Sequence, residues 1–123
     1  MEANCPKREK FPRKFRITKD AEVRFVIKNG RRLNGKFLYV IFCSNSYGYR
    51  KWAISISKKT GGAVVRNLQK RRIREIIRHN QQLFPEGMSF FVGIRGNFEE
   101  FGNITYRELE EDLLGILRRF SKR

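Results

Sequence analysis

The sequence predicts an α+β fold: a single two-layer domain in which a small mixed sheet is covered by helices. Three observations carry that prediction. The chain has 123 residues, a length that suits one domain with one core. Three short apolar runs, residues 36–43, 52–57 and 88–95, have the composition and length of strands. Helical spacing of apolar residues appears before, between and after them, so the predicted order is helix, strand, strand, helix, strand, helix.

Residues 1–16 read as a basic N-terminal arm with two aromatic residues, Phe11 and Phe15, ahead of a single domain over 17–123. Thr18 is placed as an N-cap, and Asp20 and Glu22 fall in the first turn, where the helix dipole favours negative charge. A short helix over 21–28 follows, with Val23, Val26 and Ile27 at helical spacing and Asn29-Gly30 as its stop. The run KFLYVIFC (36–43) predicts a central strand, residues 44–48 (SNSYG) a turn, and WAISIS (52–57) a second strand. These two strands are expected to pair as an antiparallel hairpin. Gly61-Gly62 breaks the chain before a helix over 63–79, and Pro85-Glu86-Gly87 turns it into a third strand, MSFFVGIR. Thr105 and Glu108 form a T-x-x-E capping box for a final helix. Its Leu109, Leu113, Ile116, Leu117 and Phe120 make one core-facing stripe, and its acidic residues 108–112 otherwise read as a solvated face.

Charge points to the partner. Lys and Arg number 28 against 12 acidic residues, a net charge of +16. The excess sits in the body of the chain: residues 1–98 hold 23 cations and six carboxylates. A polyanion that neutralises such an excess is a nucleic acid or, less directly, an anionic membrane surface. No run approaches the ~18 apolar residues that span a bilayer, and no apolar stretch follows the basic N-terminus as in a secretory signal. Cys5 and Cys43 are too few and too far apart for a disulfide framework or a zinc site and read as free thiols of a cytoplasmic protein.

The helix over 63–79 carries the sharpest signal. On a helical wheel Val65, Gln69, Ile73, Ile76 and Ile77 share one arc, with Arg72 at its edge. Arg66, Asn67, Lys70, Arg71, Arg74 and Arg78 occupy a separate arc. Like charges four residues apart cost a few tenths of a kcal/mol per pair, so five cations on one face weaken an isolated helix. A phosphate backbone supplies the missing negative charge. Arginine outnumbers lysine, 17 to 11, and guanidinium forks suit bidentate phosphate contact. The plain structural reading of the same face is a solvated basic surface.

Residues 57–75, SKKTGGAVVRNLQKRRIRE, resemble the signature of the bacterial ribonuclease P protein family, roughly S-K-K-x-G-x-A-V-x-R-N-R-x-K-R-x-x-R-E. The resemblance extends over about residues 12–120 and includes the G-R-R before the first long strand and the P-x-G before the last. The sequence departs from the signature at Leu68, where the family carries a second arginine, and at Gln69, where it carries an apolar residue. Arg71 or Arg72 is left as the replacement for the missing charge.

The resemblance implies a subunit of a ribonucleoprotein endoribonuclease that removes the 5′ leader of precursor tRNA. Hydrolysis with Mg²⁺ would belong to the RNA subunit, so no catalytic residue is expected in this chain. Ribonuclease P RNA and precursor tRNA are the implied partners, with neither DNA nor a membrane among them. Contacts to the catalytic RNA are expected from Lys58, Lys59, Arg66, Asn67, Lys70, Arg71, Arg74 and Arg78. A cleft for the single-stranded leader is expected from Val23, Ile27, Phe37, Tyr39 and Ile41. By alternation Phe37, Tyr39 and Ile41 share one face of their strand, and family position assigns that face to the cleft. The family also implies a left-handed strand–helix–strand crossover, an exception to the usual hand.

An autonomous nuclease is the enzyme-class alternative. His79 is the lone histidine, and a metal-dependent nuclease needs converging carboxylates or histidines. A ribosomal-type or other structured-RNA-binding protein shares the charge and size, and the ordered signature over 57–75 separates it. DNA binding would call for a helix–turn–helix or a similar unit, whereas the basic helix here leads through a turn into a strand.

Overall fold

The computed structural model describes residues 16–17, 19–57, 61–95 and 103–121. In chain order these form α1 (Asp20–Asn29), β1 (Arg31–Asn34), β2 (Leu38–Ser44), β3 (Lys51–Ile54), α2 (Ala63–His79), a 3-10 turn (Gln81–Leu83), β4 (Met88–Ile94) and α3 (Tyr106–Ser121). The runs 36–43 and 88–95, the basic helix and the final helix all stand where the sequence puts them, and the run 52–57 yields a strand that ends at Ile54.

The expected hairpin does not form. The sheet order is β1-β2-β4-β3, with β4 inserted between the two strands expected to pair. It runs antiparallel to β2, with Ile41 opposite Phe91, and parallel to β3, with Ala53 opposite Phe91. The reason lies in composition: residues 89–93 of β4 are buried without interruption, the mark of a strand covered on both faces. A strand this apolar takes the centre, and four-residue β3 is left at the edge. The strand β1 is an addition to the expected order. Its RRLN exposes Arg31, Arg32 and Asn34 and half-buries Leu33, a charged edge strand with little apolar signal.

Alternation along the strands sends side chains to two unequal layers. Leu38, Val40, Phe42, Trp52, Phe90 and Val92 meet Ile73, Ile76 and Ile77 of α2 and Leu109, Leu113 and Ile116 of α3. Aromatic packing fills this side: Phe42 stacks on Phe120 at 4.0 Å, and Phe84 meets Phe90 edge-on at 4.8 Å. The opposite face carries α1, whose Val26 packs with Ile17, Ile41, Cys43 and Phe91. Burial pushes the Cys43 thiol above its ordinary pKa, so it stays protonated and unreactive. Cys5 lies outside the described residues.

Two contacts seat α1. Gly30 ends it, its N–H bonded to the Val26 carbonyl at 2.8 Å. A Cβ on Gly30 would stand 2.5 Å from Ile41 Cγ2, so the helix turns into β1 only over a residue without a side chain. Buried Lys51 of β3 reaches Glu22 of α1 at 3.4 Å and lies over the Tyr47 ring at 4.0 Å. The N-cap is Lys19, which makes no side-chain capping bond. Thr18, the expected cap, lies outside the described residues.

The final helix begins on the expected capping box: Thr105 N–H donates to Glu108 Oε1 at 2.9 Å, and Glu108 N–H to Thr105 Oγ1 at 3.2 Å. One turn later Asp112 departs from the solvated face assigned to it. Its carboxylate accepts from the backbone N–H groups of Lys36 (2.6 Å), Phe37 (2.8 Å) and Leu38 (2.9 Å), binding the entrance of β2 to α3. Charge-assisted bonds of this kind contribute about 1.5–3 kcal/mol where well formed. Asp112→Ala is expected to lower stability by about 2–3 kcal/mol, seen as a lower urea midpoint at unchanged slope; a midpoint equal to wild type would show the clamp to be energetically idle.

Candidate nucleic-acid interface

The helix α2 is anchored on one side and free on the other. Gln69, Ile73, Ile76 and Ile77 are its buried residues. Gln69, at a position that an apolar residue would fill more simply, donates from Nε2 to the Ile104 carbonyl at 3.1 Å. Arg72 Nη1 donates to the same carbonyl at 3.1 Å and to Gln69 Oε1 at 3.2 Å. Arg72 is therefore engaged at the α2–α3 seam, whereas Arg71 is exposed.

The predicted basic arc forms. Asn67 and Arg71 are exposed, and Arg66, Lys70, Arg74 and Arg78 are half-buried along the same helix. Arg66 Nε–H donates to the Gly61 carbonyl at 3.1 Å, tying the guanidinium to the helix entrance. Arg78 lies 3.8 Å from Glu75 one turn back. Lys58 and Lys59 lie outside the described residues.

Lys70 and Arg74 also face a cavity of about 380 Å³ between the start of α1, the β3–β4 edge and α2. Arg16, Asp20, Val23, Ile54 and Phe91 line its other walls. Residues 16–17 reach it by adding to the outer edge of β3: Arg16 bridges Trp52, and Ile17 N–H donates to the Trp52 carbonyl at 2.9 Å. Burial, and then the like charges of Arg16 and Arg71, hold Arg74 below the ordinary guanidinium range. Arginine remains protonated at neutral pH even so. The protein thus keeps a crowded, partly desolvated cation at the mouth of a cavity whose described lining includes one carboxylate, Asp20.

The five residues expected to form a leader cleft stand in different settings. Val23, Tyr39 and Ile41 join the small cluster beneath α1, and of these Val23 lines the cavity. Ile41 is 4% exposed, because Val26 and Phe91 cover it. Ile27, one turn after Val23 on α1, is 46% exposed. Phe37 precedes β2 and packs on the α2–α3 side, its N–H held by Asp112. Phe91, Ile54 and Arg16 stand at the cavity without having been expected there. Phe91 was readable by alternation once β2 and β4 were known to be neighbours, but the register that sets it opposite Ile41 has no local signal.

Fold and basic helix together define a small α+β polyanion-binding protein. Residues 11–121 match the family model for ribonuclease P. The chain is 34% identical to the ribonuclease P protein component of Petrotoga mobilis over 110 residues, which covers 89% of this chain and 93% of that protein. It is 32% identical to the Thermotoga maritima component over 112 residues, covering 90% and 96%. Among solved structures, the RNase P protein from T. maritima superposes with a TM-score of 0.77 at 31% identity, over 85% of this chain and 96% of that one. The Staphylococcus aureus RNase P protein gives 0.76 at 27% identity, over 85% and 94%. The chain belongs to the ribonuclease P protein family and is a subunit of that enzyme.

The arc on α2 generates a measurable expectation. Arg66→Ala combined with Lys70→Ala is expected to flatten the salt dependence of binding to structured RNA. Each phosphate contact removed reduces the log–log slope by about 0.7–0.9. A slope unchanged from wild type would remove this face from the interface.

Proposed function

We propose that this protein holds the catalytic RNA of ribonuclease P with the basic face of α2 and the 5′ leader of precursor tRNA on the α1 side of the sheet. In this reading hydrolysis of the phosphodiester belongs to the RNA. The observation that carries it is Arg74, half-buried beside Arg16 and Arg71 at a cavity that joins the two faces. Such crowding is unfavourable in the free protein and is relieved by a phosphodiester backbone. A single strand is then held by cations along its backbone and by flat side chains against its bases. Phe91 and Tyr39, whose ring centroids lie 6.2 Å apart, are two aromatic groups on that side of the sheet.

The described residues offer no cage for Mg²⁺, since no three His, Cys, Asp or Glu side chains among them are grouped to hold a metal. In this reading Mg²⁺ belongs to the RNA, as the family resemblance implies, and the protein acts electrostatically. Its cations relieve phosphate repulsion that Mg²⁺ would otherwise have to screen. No described helix is long and apolar enough to cross a membrane, and the proposed site of work is the cytoplasm.

Reconstitution tests the proposal. Added to a bacterial ribonuclease P RNA at low Mg²⁺, the protein is expected to restore 5′ processing of precursor tRNA that the RNA alone performs poorly. Processing no better than with the RNA alone would overturn the reading. Tyr39→Ala is further expected to weaken holoenzyme binding of leader-bearing precursor by about 5–20-fold, in line with the loss of one base-stacking platform, and to leave mature tRNA binding nearly unchanged. Equal losses for both ligands would remove Tyr39 from the leader path.

A further inference from the structure

On the α1 side of the sheet, β1 and β2 pair with Arg32 opposite Ile41 and Asn34 opposite Tyr39, which sets Arg32 diagonal to Tyr39. Across β2 the partner of Tyr39 on β4 is Gly93. A Cβ on Gly93 would stand 2.4 Å from Tyr39 Cζ and 2.5 Å from its hydroxyl oxygen. The tyrosine ring therefore lies down on the glycine, in the space that a side chain would take. The Arg32 guanidinium then covers the ring, its Cζ 3.8 Å from the centroid, a stacking distance. Arg32 Nε–H donates to Asn34 Oδ1 at 2.9 Å, which fixes the guanidinium in place.

Arg32 is exposed, so the outer side of this stack faces solvent. The surface presented is flat, cationic and held by two contacts before any ligand arrives. Arg95, also exposed, continues the pairing of β4 beyond Gly93 through its N–H to the Phe37 carbonyl at 2.9 Å and adds a second cation at this end of the sheet.

We propose that the Tyr39–Arg32 stack is a binding site for one unpaired RNA base, which lies on the outer plane of the Arg32 guanidinium. Guanidinium planes and aromatic rings are the platforms on which proteins stack splayed bases. Tyr39 supplies the floor, Arg32 the surface in contact with the base, and Asn34 the lock. The free Nη groups of Arg32 and the charge of Arg95 serve the flanking phosphates. A mere edge-strand contact would need the positive charge of Arg32 but not its planarity, and that difference is measurable. The inference rests on the RNA-binding role proposed above and gives a role to Arg32, a residue of the G-R-R run to which the sequence reading assigned none.

The base comes either from the precursor leader or from the catalytic RNA, and two measurements separate these sources. In the reconstituted holoenzyme, leader nucleotides are replaced one at a time by abasic residues and precursor affinity is measured. With wild-type protein one position is expected to cost about 10-fold, within the range of one stacked base. The same replacement is expected to cost under about 2-fold with Arg32→Lys, which keeps the charge and removes the plane. Tyr39→Phe, which keeps the ring, is expected to retain the full penalty. In the second arm, affinity of Arg32→Lys for ribonuclease P RNA alone is compared with wild type; a loss of about 10-fold there, with no sensitive leader position, assigns the base to the catalytic RNA. The proposal is overturned if Arg32→Lys keeps the whole abasic penalty, or if no leader position is sensitive and RNA affinity is unchanged. Failure of the wider reading looks different: wild-type holoenzyme would then bind leader-bearing and leaderless precursor alike and would bind the catalytic RNA no better than a non-cognate RNA.

Discussion

The double pairing of β4 is the constraint from which the rest of the architecture follows. Because β4 runs antiparallel to β2 and parallel to β3, the chain must leave β3, travel the length of the sheet and return beside it. That journey is α2, and its buried Ile73, Ile76 and Ile77 press it onto the sheet. Once those residues face inward, helical geometry leaves Lys70 and Arg74 beside the β3 edge, where they meet the segment carrying Arg16. The cationic cavity is thus a product of strand order. A β2–β3 hairpin would have needed no crossover and would have taken the basic helix elsewhere.

Much of this was readable from local pattern, and the misses share one physical cause. Periodicity located α2 and α3 because each depends on residues within a few turns: Leu109, Leu113, Ile116 and Leu117 repeat on one face whatever lies opposite. The capping box at Thr105 and Glu108 is equally local. Strand pairing depends on partners distant in the chain, and KFLYVIFC reads as a central strand without stating which neighbours it takes. The different settings of the expected cleft residues were unreadable for the same reason. Alternation put Tyr39 and Ile41 on one face, but whether that face is open depends on α1, and Val26 closes it over Ile41. Asp112 looked like one carboxylate among several on a polar helix face, and only the approach of residues 36–38 makes it a structural ligand.

The electrostatics invert the usual relation between a protein's charges and its stability. Lys51 has Glu22 as a partner, and Arg78 has Glu75. Around Arg74, by contrast, further cations gather. A folded chain tolerates such a cluster because the apolar contacts beneath α2 hold the helix in place regardless. At that cavity burial comes first, and the like charges of Arg16 and Arg71 second, in disfavouring the charged guanidinium, a cost that the proposed RNA contact would relieve.

Gln69 governs alignment as well as packing. Were α2 lined there by leucine, the seam would lose one of the two bonds described at the Ile104 carbonyl and tolerate sliding more readily. An amide in that dry seam finds its acceptor, the Ile104 carbonyl, in one alignment of the two elements. Any slipped arrangement strands a polar group away from water, a penalty of about 1–3 kcal/mol. A departure from the usual apolar residue thereby works as an indexing pin, setting how far along the seam the basic helix sits.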